Sequence, residues 1–351
     1  MHFTKFILAF LLLHTIVACK KKEETSSSLP TTLNHGVLVL NEGLFEHNNA
    51  SLSYFDLNNG TVFSNFFEVK ANRNLGDTGN DIAVYGGKIY IVVNVSSTIE
   101  VLDKQTGVSI QQIQMKWNNL NKQPRSIQFY KNHAFVSCFD GYVDVIDTAS
   151  LQVITRIAVG KNPDAMTAQN NRLYVSNSGG LNSPLMDSTV SVIDMDNLSE
   201  TQKIVVGKNP GDMAWDHLGN LYVIARGNYS TIPSRLKKIN TVTHQLEQSF
   251  NFDIQQIEQV QNQLYFSYAN GNQTSIGIFD PVSASVIQTN AFDISYIETL
   301  YGFQYDPIFN AFYLTDAKNY TVLGDVHILS NTGILQQSFT AGLNPTKLIR
   351  F

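Results

Sequence analysis

Residues Arg172–Asn177 read RLYVSN and are followed, after a polar loop, by TVSVID at Thr189–Asp194. The same pair of runs occurs as HAFVSC at His133–Cys138 and YVDVID at Tyr142–Asp147. The first run has a short apolar stretch and the second alternates apolar and polar residues, and both patterns are typical of β-strands. An apolar run of this kind, followed by a second strand that ends in Asp or Asn, occurs six times in the chain.

The residues that close the second strand set a period. They are Asp56, Asp103, Asp147, Asp194, Asn240 and Asp280, and their successive spacings are 47, 44, 47, 46 and 40 residues. A period in the forties, with alternating hydrophobicity inside each copy, is typical of β-propeller blades. Because the acids recur at one position, we expect their carboxylates to accept backbone N–H bonds in the turn that follows.

The copy that follows Pro163 predicts a complete blade. Its four strands are expected at Ala165–Ala168, Arg172–Ser176, Thr189–Asp194 and Gln202–Val206. The last strand runs into the corner Gly207-Lys208-Asn209-Pro210, which resembles the corners at 160–163 and 342–345. Glycine permits unusual φ values at such a corner, and proline ends one strand before the next begins.

Tiling from these corners gives six blades, near residues 80–123, 124–163, 164–210, 211–254, 255–295 and 296–343. Three strand candidates precede them, at Gly36–Asn41, Ser51–Asp56 and Val62–Val69, and one follows, at Thr346–Phe351. These four make a seventh blade. The sequence therefore predicts an all-β, seven-bladed β-propeller with four antiparallel strands per blade, whose C-terminal strand joins the N-terminal blade and closes the ring. No segment of useful length shows helical spacing.

The N-terminal residues resemble an export signal. Met1–Lys5 carries a positive charge, Phe6–Leu13 is apolar, and Ile16-Val17-Ala18-Cys19 matches a bacterial lipobox. The apolar run is too short to span a bilayer, so we expect residues 1–18 to be a lipoprotein signal peptide, with Cys19 lipidated after cleavage. The alternative is an ordinary signal peptide with Cys19 merely nearby.

Residues 19–35 are predicted to form a flexible tether between the lipid and a propeller domain at 36–351. Their sequence includes KKKEETSSSLPTT at Lys20–Thr32, which is too polar to bury a core. This segment resembles the charged stretch that follows the lipidated cysteine in some Bacteroidetes surface lipoproteins. The resemblance implies a protein anchored in the outer membrane and exposed on the cell surface.

Charge excludes one class of partner. The chain has 24 Lys and Arg against 29 Asp and Glu, and cleavage would remove Lys5 and leave a net charge of −6. With no basic cluster beyond the tether, the chain lacks the electrostatic footprint of a nucleic-acid-binding protein. Cys138 is the only cysteine besides Cys19, and we interpret it as a small residue at a strand end.

Catalytic and metal-binding motifs are missing from the sequence. The eight histidines are scattered without ligand spacing, and no Gly-x-Ser-x-Gly elbow or phosphate-binding loop occurs. Ser234–Lys237 fits Ser-x-x-Lys by chance, at the start of a strand. Asp77, Asn80 and Asp81 could offer oxygen ligands to a cation, although a polar turn between blades explains them better. We therefore predict no cofactor, no metal and no enzymatic activity.

One face of the propeller is predicted to bind a ligand. The loops that join second to third strands and successive blades gather there, and they are rich in Asn, Tyr and Gly. Aromatic rings offer rigid apolar area and amides offer paired hydrogen-bonding groups. The alternative is that Asn and Gly serve turn geometry while the tyrosines cap the blades. The predicted ligand-binding residues are Asn41, Glu42, Phe45, Asn94, Trp117, Asn177, Arg226, Asn228, Tyr229, Tyr268, Asn270, Asp316, Asn319 and Tyr320.

The repeats resemble a known family. LYVSN, VSVID and VVGKNP within Leu173–Pro210 resemble the YVTN-type repeat of YncE-like seven-bladed propellers, over residues 36–351. The opening VLVLNEGLFEHNNASLSYFD at Val37–Asp56 and LGDTGNDIAVYGGKIYIVVN at Leu75–Asn94 are similar to BtuG-type surface lipoproteins of Bacteroidetes. That resemblance implies capture of a nutrient, cobalamin or a related corrinoid, for a TonB-dependent outer-membrane receptor.

Three functions stay open on the sequence alone. The first is a lipid-anchored, surface-exposed propeller that captures a nutrient for a transporter. The second is a scaffold for protein–protein interaction in the cell envelope. The third is a propeller-type lyase or lactonase, for which the sequence supplies no acid–base pair.

The lipidation of Cys19 is directly testable. In cells fed a labelled fatty acid, the wild-type chain should carry the label and sediment with membranes. The Cys19→Ala variant should do neither, whereas a Cys138→Ala control should behave like the wild type. Equal labelling of the wild type and Cys19→Ala would contradict the prediction.

Overall fold

The computed structural model describes residues 28–351 and consists of seven four-stranded antiparallel sheets around a central axis. The predicted seven-bladed, all-β propeller is confirmed. Within the described residues there is one short α-helix, α1 (Phe66–Ala71), and one 3₁₀ turn at Gly180–Asn182. Neither is long enough to cross a bilayer.

Blade 1 joins the two ends of the described chain, and blades 2 to 4 follow in sequence. Blade 1 contains β1 (Gly36–Asn41), β2 (Ser51–Asp56), β3 (Val62–Phe63) and, innermost, β30 (Pro345–Arg350). Blade 2 contains β4 (Gly79–Tyr85), β5 (Lys88–Val93), β6 (Thr98–Asp103) and β7 (Ser109–Gln114). A hairpin of β8 (Lys116–Trp117) and β9 (Leu120–Asn121) connects blade 2 to blade 3. Blade 3 contains β10 (Pro124–Tyr130), β11 (His133–Cys138), β12 (Tyr142–Asp147) and β13 (Gln152–Ala158). Blade 4 contains β14 (Pro163–Gln169), β15 (Arg172–Asn177), β16 (Thr189–Asp194) and β17 (Ser199–Val205).

Blades 5 to 7 repeat the same order of strands, with the first strand of each blade nearest the axis. Blade 5 contains β18 (Pro210–Trp215), β19 (Leu221–Ala225), β20 (Arg235–Asn240) and β21 (Gln245–Phe250). Blade 6 contains β22 (Gln256–Val260), β23 (Gln263–Asn270), β24 (Gln273–Asp280) and β25 (Ser285–Gln288). Blade 7 contains β26 (Leu300–Asp306), β27 (Ala311–Asp316), β28 (Leu323–Ser330) and β29 (Leu335–Leu343).

The ring closes in blade 1, as the sequence predicts. Strand β30 pairs antiparallel with β1, so that Leu348 lies opposite Val39 and Arg350 opposite Val37. One strand from the C-terminal end thereby completes a sheet whose other three strands come from the N-terminal end. This pairing leaves no open edge between the first and last blades.

The buried side chain of Asn41 stabilises the closure of the ring. The Asn41 side-chain oxygen accepts the backbone N–H of Gly342 at 2.9 Å, and its amide nitrogen donates to Ser53 Oγ at 2.9 Å. Asn177 makes the equivalent bond to the Gly160 N–H at 3.0 Å between blades 3 and 4. The glycine of each corner therefore lies against the amide of the next blade, where a side chain would not fit.

The hydrophobic core lies between neighbouring sheets. Seven clusters of buried apolar residues fill the seven interfaces. Large aromatic residues near the middle of the second strands anchor several of them, including Tyr90, Phe135, Tyr174, Tyr222 and Tyr313. Burying such a ring stabilises each interface by about 2–3 kcal/mol, so the interfaces between the sheets stabilise the ring.

The recurring acids have the predicted turn role. Asp103 accepts the N–H of Thr106 at 2.8 Å, and Asp147 accepts the N–H of Ser150 at 2.7 Å. Asp194, Asn240 and Asp280 do the same for their own turns. These hydrogen bonds lower the pKa values of the carboxyl groups of Asp103, Asp147, Asp194 and Asp280. The repeat that reveals the fold is thus a turn motif.

The predicted strand at Val62–Val69 is wrong beyond Phe63. The chain turns there into α1, in which the neighbouring residues Phe66 and Phe67 are both fully buried. In a strand, adjacent side chains would point to opposite faces, whereas a helical turn directs both rings inward. Phe66 packs against Leu33 and Tyr54 between blades 1 and 2.

The last part of the predicted tether packs against the propeller. Leu33 is buried and its N–H bonds to the carbonyl of Gln105, while the carbonyl of Pro30 accepts a bond from Lys70 at 2.9 Å. The predicted signal peptide (1–18) and Cys19 lie outside the described residues. Cys138 is buried at the end of β11, consistent with its interpretation as a small strand-end residue.

The two faces of the ring differ in their loops. We call the face with the loops between second and third strands and between blades the upper face; the opposite, lower face has the turns that begin at Asp103 and its equivalents. Residues 28–35 enter β1 from the lower face, beside Gln105. The upper loop of blade 6 is short, because β23 ends only at Asn270 and β24 begins at Gln273.

Gly342→Ala tests the closure. A Cβ at this position would lie 2.6 Å from the Asn41 amide, which is buried and cannot move without breaking its hydrogen bonds. We expect a loss of about 1–3 kcal/mol of unfolding free energy. Gly87→Ala is the control, because its Cβ would meet nothing within 4 Å. Equal urea midpoints for the two variants would contradict this account.

Candidate functional site

A cavity of about 650 Å³ opens at the upper face along the propeller axis. We call it the central channel. Its walls are the inner strands of all seven blades, and its charged lining residues are Glu42, Asp81, Arg125, Asp164, Asp212, Arg226, Glu258 and Lys347. Five carboxylates therefore face three cationic groups in one enclosed space.

Bulges at the start of the inner strands put polar side chains into the channel. In blades 3, 4 and 5, two residues of the inner strand lie opposite one residue of the second strand, directly after the corner proline. Arg125, Asp164 and Asp212 lie in these bulges. A bulge interrupts the ladder and redirects side chains, so the same irregularity supplies a charged group from three adjacent blades.

These charges form a chain of ion pairs around half of the mouth. Asp164 accepts hydrogen bonds from Arg125 Nε at 3.0 Å and from a terminal nitrogen of Arg226 at 2.9 Å. The other terminal nitrogen of Arg226 lies 3.3 Å from a carboxylate oxygen of Asp212. Arg125 also donates to the side-chain oxygen of Asn80 at 2.8 Å. The network ties blades 2 to 5 together at the upper end of the channel.

Asp164 is the centre of this network. Its burial opposes ionisation, but the guanidinium groups of Arg125 and Arg226 outweigh that effect and hold the pKa of the carboxyl well below its ordinary value. Burial likewise acts against the charge of Arg226, yet Asp164 and Asp212 raise its pKa. Asp164 and Arg226 are therefore both charged near neutral pH.

Glycine makes room for Arg226. A Cβ on Gly211 would lie 2.2 Å from the guanidinium carbon of Arg226, so this side chain crosses the inner strand where only hydrogen occupies the space. Arg226 itself follows β19 in the upper loop of blade 5. The loop and the inner strand of one blade thus jointly position the charge.

A hydrogen-bonded carboxyl–phenol pair borders the other half of the channel mouth. Tyr301 donates a hydrogen bond to Glu42, joining the inner strand of blade 7 to the upper loop of blade 1. Burial raises the pKa of Glu42, and burial together with Glu42 raises the pKa of Tyr301. Tyr320 packs edge-on against Tyr301, with 6.0 Å between ring centroids.

Asp77 and Asp81 form internal hydrogen bonds. Asp77 accepts the N–H groups of Glu46 and Asn48, at 3.2 and 3.0 Å. Asp81 binds Lys347 Nζ at 2.8 Å and accepts the Ile127 N–H at 2.9 Å. Within residues 28–351, no group of three or more His, Cys, Asp and Glu is arranged to hold a metal ion.

Glu258 lies deeper in the channel on the inner strand of blade 6. Burial and Asp212 raise the pKa of its carboxyl, Lys347 opposes this, and the result is about 8. Among the residues that the structure describes, no side chain or backbone N–H lies within hydrogen-bonding distance of its carboxylate. Neighbouring Gln256, by contrast, donates to the Tyr301 carbonyl at 2.8 Å.

Two of the predicted ligand-binding residues, Glu42 and Arg226, line the channel. Four predicted aromatic residues are exposed on separate upper loops, with exposed fractions from 48% for Tyr320 to 74% for Tyr229. Phe45 and Trp117 are the other two. Tyr268 lies within β23 and donates to the Thr289 carbonyl, toward the outer edge of blade 6.

The predicted amides have mainly structural contacts. Asn41, Asn94 and Asn177 are buried, and each donates to a neighbouring strand or loop. Asp316 is also buried and accepts the N–H groups of Glu298 and Thr299. The other three predicted asparagines, Asn228, Asn270 and Asn319, bond within their own turns. The buried asparagines thus hold strands and blades together, and the other three stabilise their own turns.

Sequence reasoning missed most of the channel. Arg125, Asp164, Asp212, Tyr301 and Lys347 were not predicted as site residues, and neither was Glu258. A signal was present, because a polar residue follows the corner proline within two positions in Pro124-Arg125, Pro163-Asp164, Pro210-Gly211-Asp212 and Pro345-Thr346-Lys347. The position after the corner, at the top of the inner strand, identifies the channel.

A second cavity of about 420 Å³ adjoins the mouth between blades 5 and 6. Its walls include Tyr229, Ile232, Pro233 and Ile254, and Arg226 lines both cavities. The charged channel therefore continues into a crevice with an apolar wall. Ser234, the first residue of the Ser-x-x-Lys match, bridges this wall by bonding to the Ile254 backbone.

The family description "Domain of unknown function (DUF5074)" matches residues 35–334. The chain belongs to this family. The match spans β1 to the last turn of blade 7, so the DUF5074 region and the propeller coincide except for β29 and the closing strand β30. No curated protein sequence matches the chain.

Solved structures share the fold at low identity. A quinonprotein alcohol dehydrogenase-like protein from Bacteroides thetaiotaomicron has a TM-score of 0.68 at 14% identity, over 91% of this chain and 79% of that one. Hydrazine synthase from Kuenenia stuttgartiensis has a TM-score of 0.58 at 16% identity, over 70% and 74%. The dihydro-heme d1 dehydrogenase NirN has 0.58 at 10%, over 90% and 75%. Identities this low establish the architecture alone.

Asp164→Asn tests the network. Removing the carboxylate leaves two guanidinium groups without their shared partner, so we expect a loss of about 2–4 kcal/mol in unfolding free energy at pH 7. Because the folded pKa is depressed, the stabilisation is complete above the unfolded value of about 3.9 and declines as the pH falls below it. The difference in urea midpoint between Asp164→Asn and the wild type should therefore become smaller from pH 7 to pH 3.

Asp212→Asn is the matched control for this experiment. Its side chain is partly exposed and makes one ion pair at 3.3 Å, so its loss should cost about 1 kcal/mol or less. A pH-independent difference between Asp164→Asn and the wild type, or equal effects of the two variants, would contradict the assignment.

Proposed function

We propose that this DUF5074 propeller is a lipid-anchored, cell-surface binding protein that captures a nutrient at the upper mouth of its central channel for a TonB-dependent receptor. The observation that carries the proposal is the combination of an enclosed, polar channel with four exposed aromatic rings on separate loops of the upper face. A site with an apolar rim and fixed polar groups inside suits a ligand of mixed character.

A corrinoid is the leading ligand class. It is a flat macrocycle bordered by amide side chains, and it is too large to enter a 650 Å³ channel entirely. Its ring would lie across the mouth against Phe45, Trp117, Tyr229 and Tyr320. Its amides would meet charged hydrogen-bonding groups such as Glu42 and Arg226, which favour such contacts. The similarity to BtuG-type propellers supports the same class.

The proposed role is binding without catalysis. Asp164, Arg226 and Arg125 hold each other in ion pairs, and Glu42 is engaged by Tyr301. Groups that are fixed in this way at the mouth are suited to positioning a ligand. This role requires no turnover of an added substrate.

The position of the chain entry supports capture at the surface. Residues 28–35 pack at the lower face, and the channel opens at the upper face. An anchor attached through residues 19–27 would thus hold the mouth away from its own membrane attachment. The captured ligand would face a partner that covers the upper face, such as an outer-membrane receptor.

An envelope scaffold is the second candidate. The β8–β9 hairpin projects from the upper face with Trp117 and Leu120 exposed, and Arg156 lies 4.7 Å from the Trp117 ring centroid. Exposed aromatic and aliphatic groups of this kind are common in protein interfaces. A partner that binds this hairpin without any small molecule would favour the scaffold.

Calorimetry with cyanocobalamin tests the proposal. The wild type should bind with measurable heat and a change in the corrinoid absorption spectrum. Tyr229→Ala should weaken binding about tenfold, the loss expected for one stacked ring of about 1.4 kcal/mol. Val242→Ala, a highly exposed residue on the lower face, is the control and should bind like the wild type. No heat and no spectral change with the wild type would reject the corrinoid.

A further inference from the structure

The charges that line the central channel do not balance. Arg125 and Arg226 are bound to Asp164 and Asp212, and Lys347 is bound to Asp81 at 2.8 Å. These pairs use all three cations of the lining. Glu42 and Glu258 are the carboxyl groups left over, and Glu42 has Tyr301 as its partner.

Glu258 therefore has no hydrogen-bonding partner within residues 28–351. It is enclosed by the walls of the channel and faces its interior. Lys347 and Asp212 are the charged groups that act on it most strongly, and Asp81, Asp164, Arg125 and Arg226 line the channel above and beside it. The side chain is partly exposed to the channel, so a ligand group that enters the channel can reach its carboxyl group.

We propose that the central channel is a binding site for an alkylammonium group, which Glu258 holds together with Asp212. An ammonium group is a compact charge with three donors, and it fits between carboxylates without the fixed geometry of a metal. The described residues contain no cluster of three metal-binding side chains, so an organic cation suits this channel better. The carboxyl groups of Glu258 and Asp212 specify the charge of the ligand group that binds beside them. The exposed aromatic rings of the upper face do not specify it.

Binding of such a group should release a proton. Burial raises the pKa of Glu258 to about 8, so its carboxyl group is mainly protonated at pH 7 in the empty channel. A cation bound beside it lowers this pKa, so the carboxyl ionises as the ligand enters. Affinity should accordingly rise between pH 6.5 and pH 8.5, and binding at pH 7 should release a proton.

Putrescine is the probe, titrated by calorimetry in two buffers of different ionisation enthalpy at matched ionic strength. Wild-type protein should bind it and release the proton. Glu258→Gln should bind at least tenfold more weakly and release none, and Asp212→Asn should also weaken binding. Glu247→Gln, on the outer strand of blade 5, should match the wild type, and uncharged 1,4-butanediol should not bind.

Absence of binding to the wild type, or equal binding and proton release by Glu258→Gln, would overturn the inference. Asp212→Asn provides a second variant if Glu258→Gln fails to fold, because the two side chains reach the site from different blades. The inference rests on the proposed ligand-binding role of the channel but not on the corrinoid. Putrescine binding without cyanocobalamin binding would reject the corrinoid and keep the ammonium site. Cyanocobalamin binding without putrescine binding would reject the ammonium site and keep the corrinoid.

Discussion

The pairing of β30 with β1 is the constraint on which the rest of the structure depends. It brings together residues about 300 positions apart in the chain, and it places Lys347 within 2.8 Å of Asp81 and the upper loop of blade 1 beside Tyr301. Without this pairing the inner strands would form an open arc, and the channel charges would lie in water. Closure therefore builds both the ring and the walls of the candidate site.

Enclosure changes what the charges can do. Eight ionisable groups around a narrow channel are costly to desolvate, and ion pairs offset this cost only where partners are available. Asp164 is stabilised as an anion by two guanidinium groups, whereas Glu258 is left to carry a raised pKa. The same channel thus contains a rigid network at its mouth and an uncompensated carboxyl below it. The first fixes the shape of the entrance, and the second gives the interior a preference for positive charge.

Much of the fold could be predicted because it follows from local patterns. Alternating strands and the acid at each turn are short-range features, and they fix the blade count and the closure. The segment at Val62–Val69 shows the limit of this reasoning. Its apolar residues suit a strand equally well, and only the wedge between blades 1 and 2 makes Phe66 and Phe67 helical.

The candidate site was harder to predict for a physical reason. Exposed loops can be recognised by their composition, so Phe45, Trp117, Tyr229 and Tyr320 could be identified from the sequence. The channel charges belong to inner strands, and their direction depends on bulges that composition does not reveal. Asn41 and Asn177 have the composition of a binding loop, and in the structure their side chains also hold neighbouring blades together.

Which face of the ring carries the ligand is the central question for function. The lower face holds the turns and the packed N-terminal segment, and the upper face holds the channel mouth and four exposed aromatic rings. Diffraction from crystals grown with cyanocobalamin, measured at the cobalt absorption edge, locates the metal directly. The account predicts one anomalous peak over the channel mouth, between Glu42 and Arg226. A peak on the lower face or the outer strands, or crystals without a cobalt peak, would contradict it.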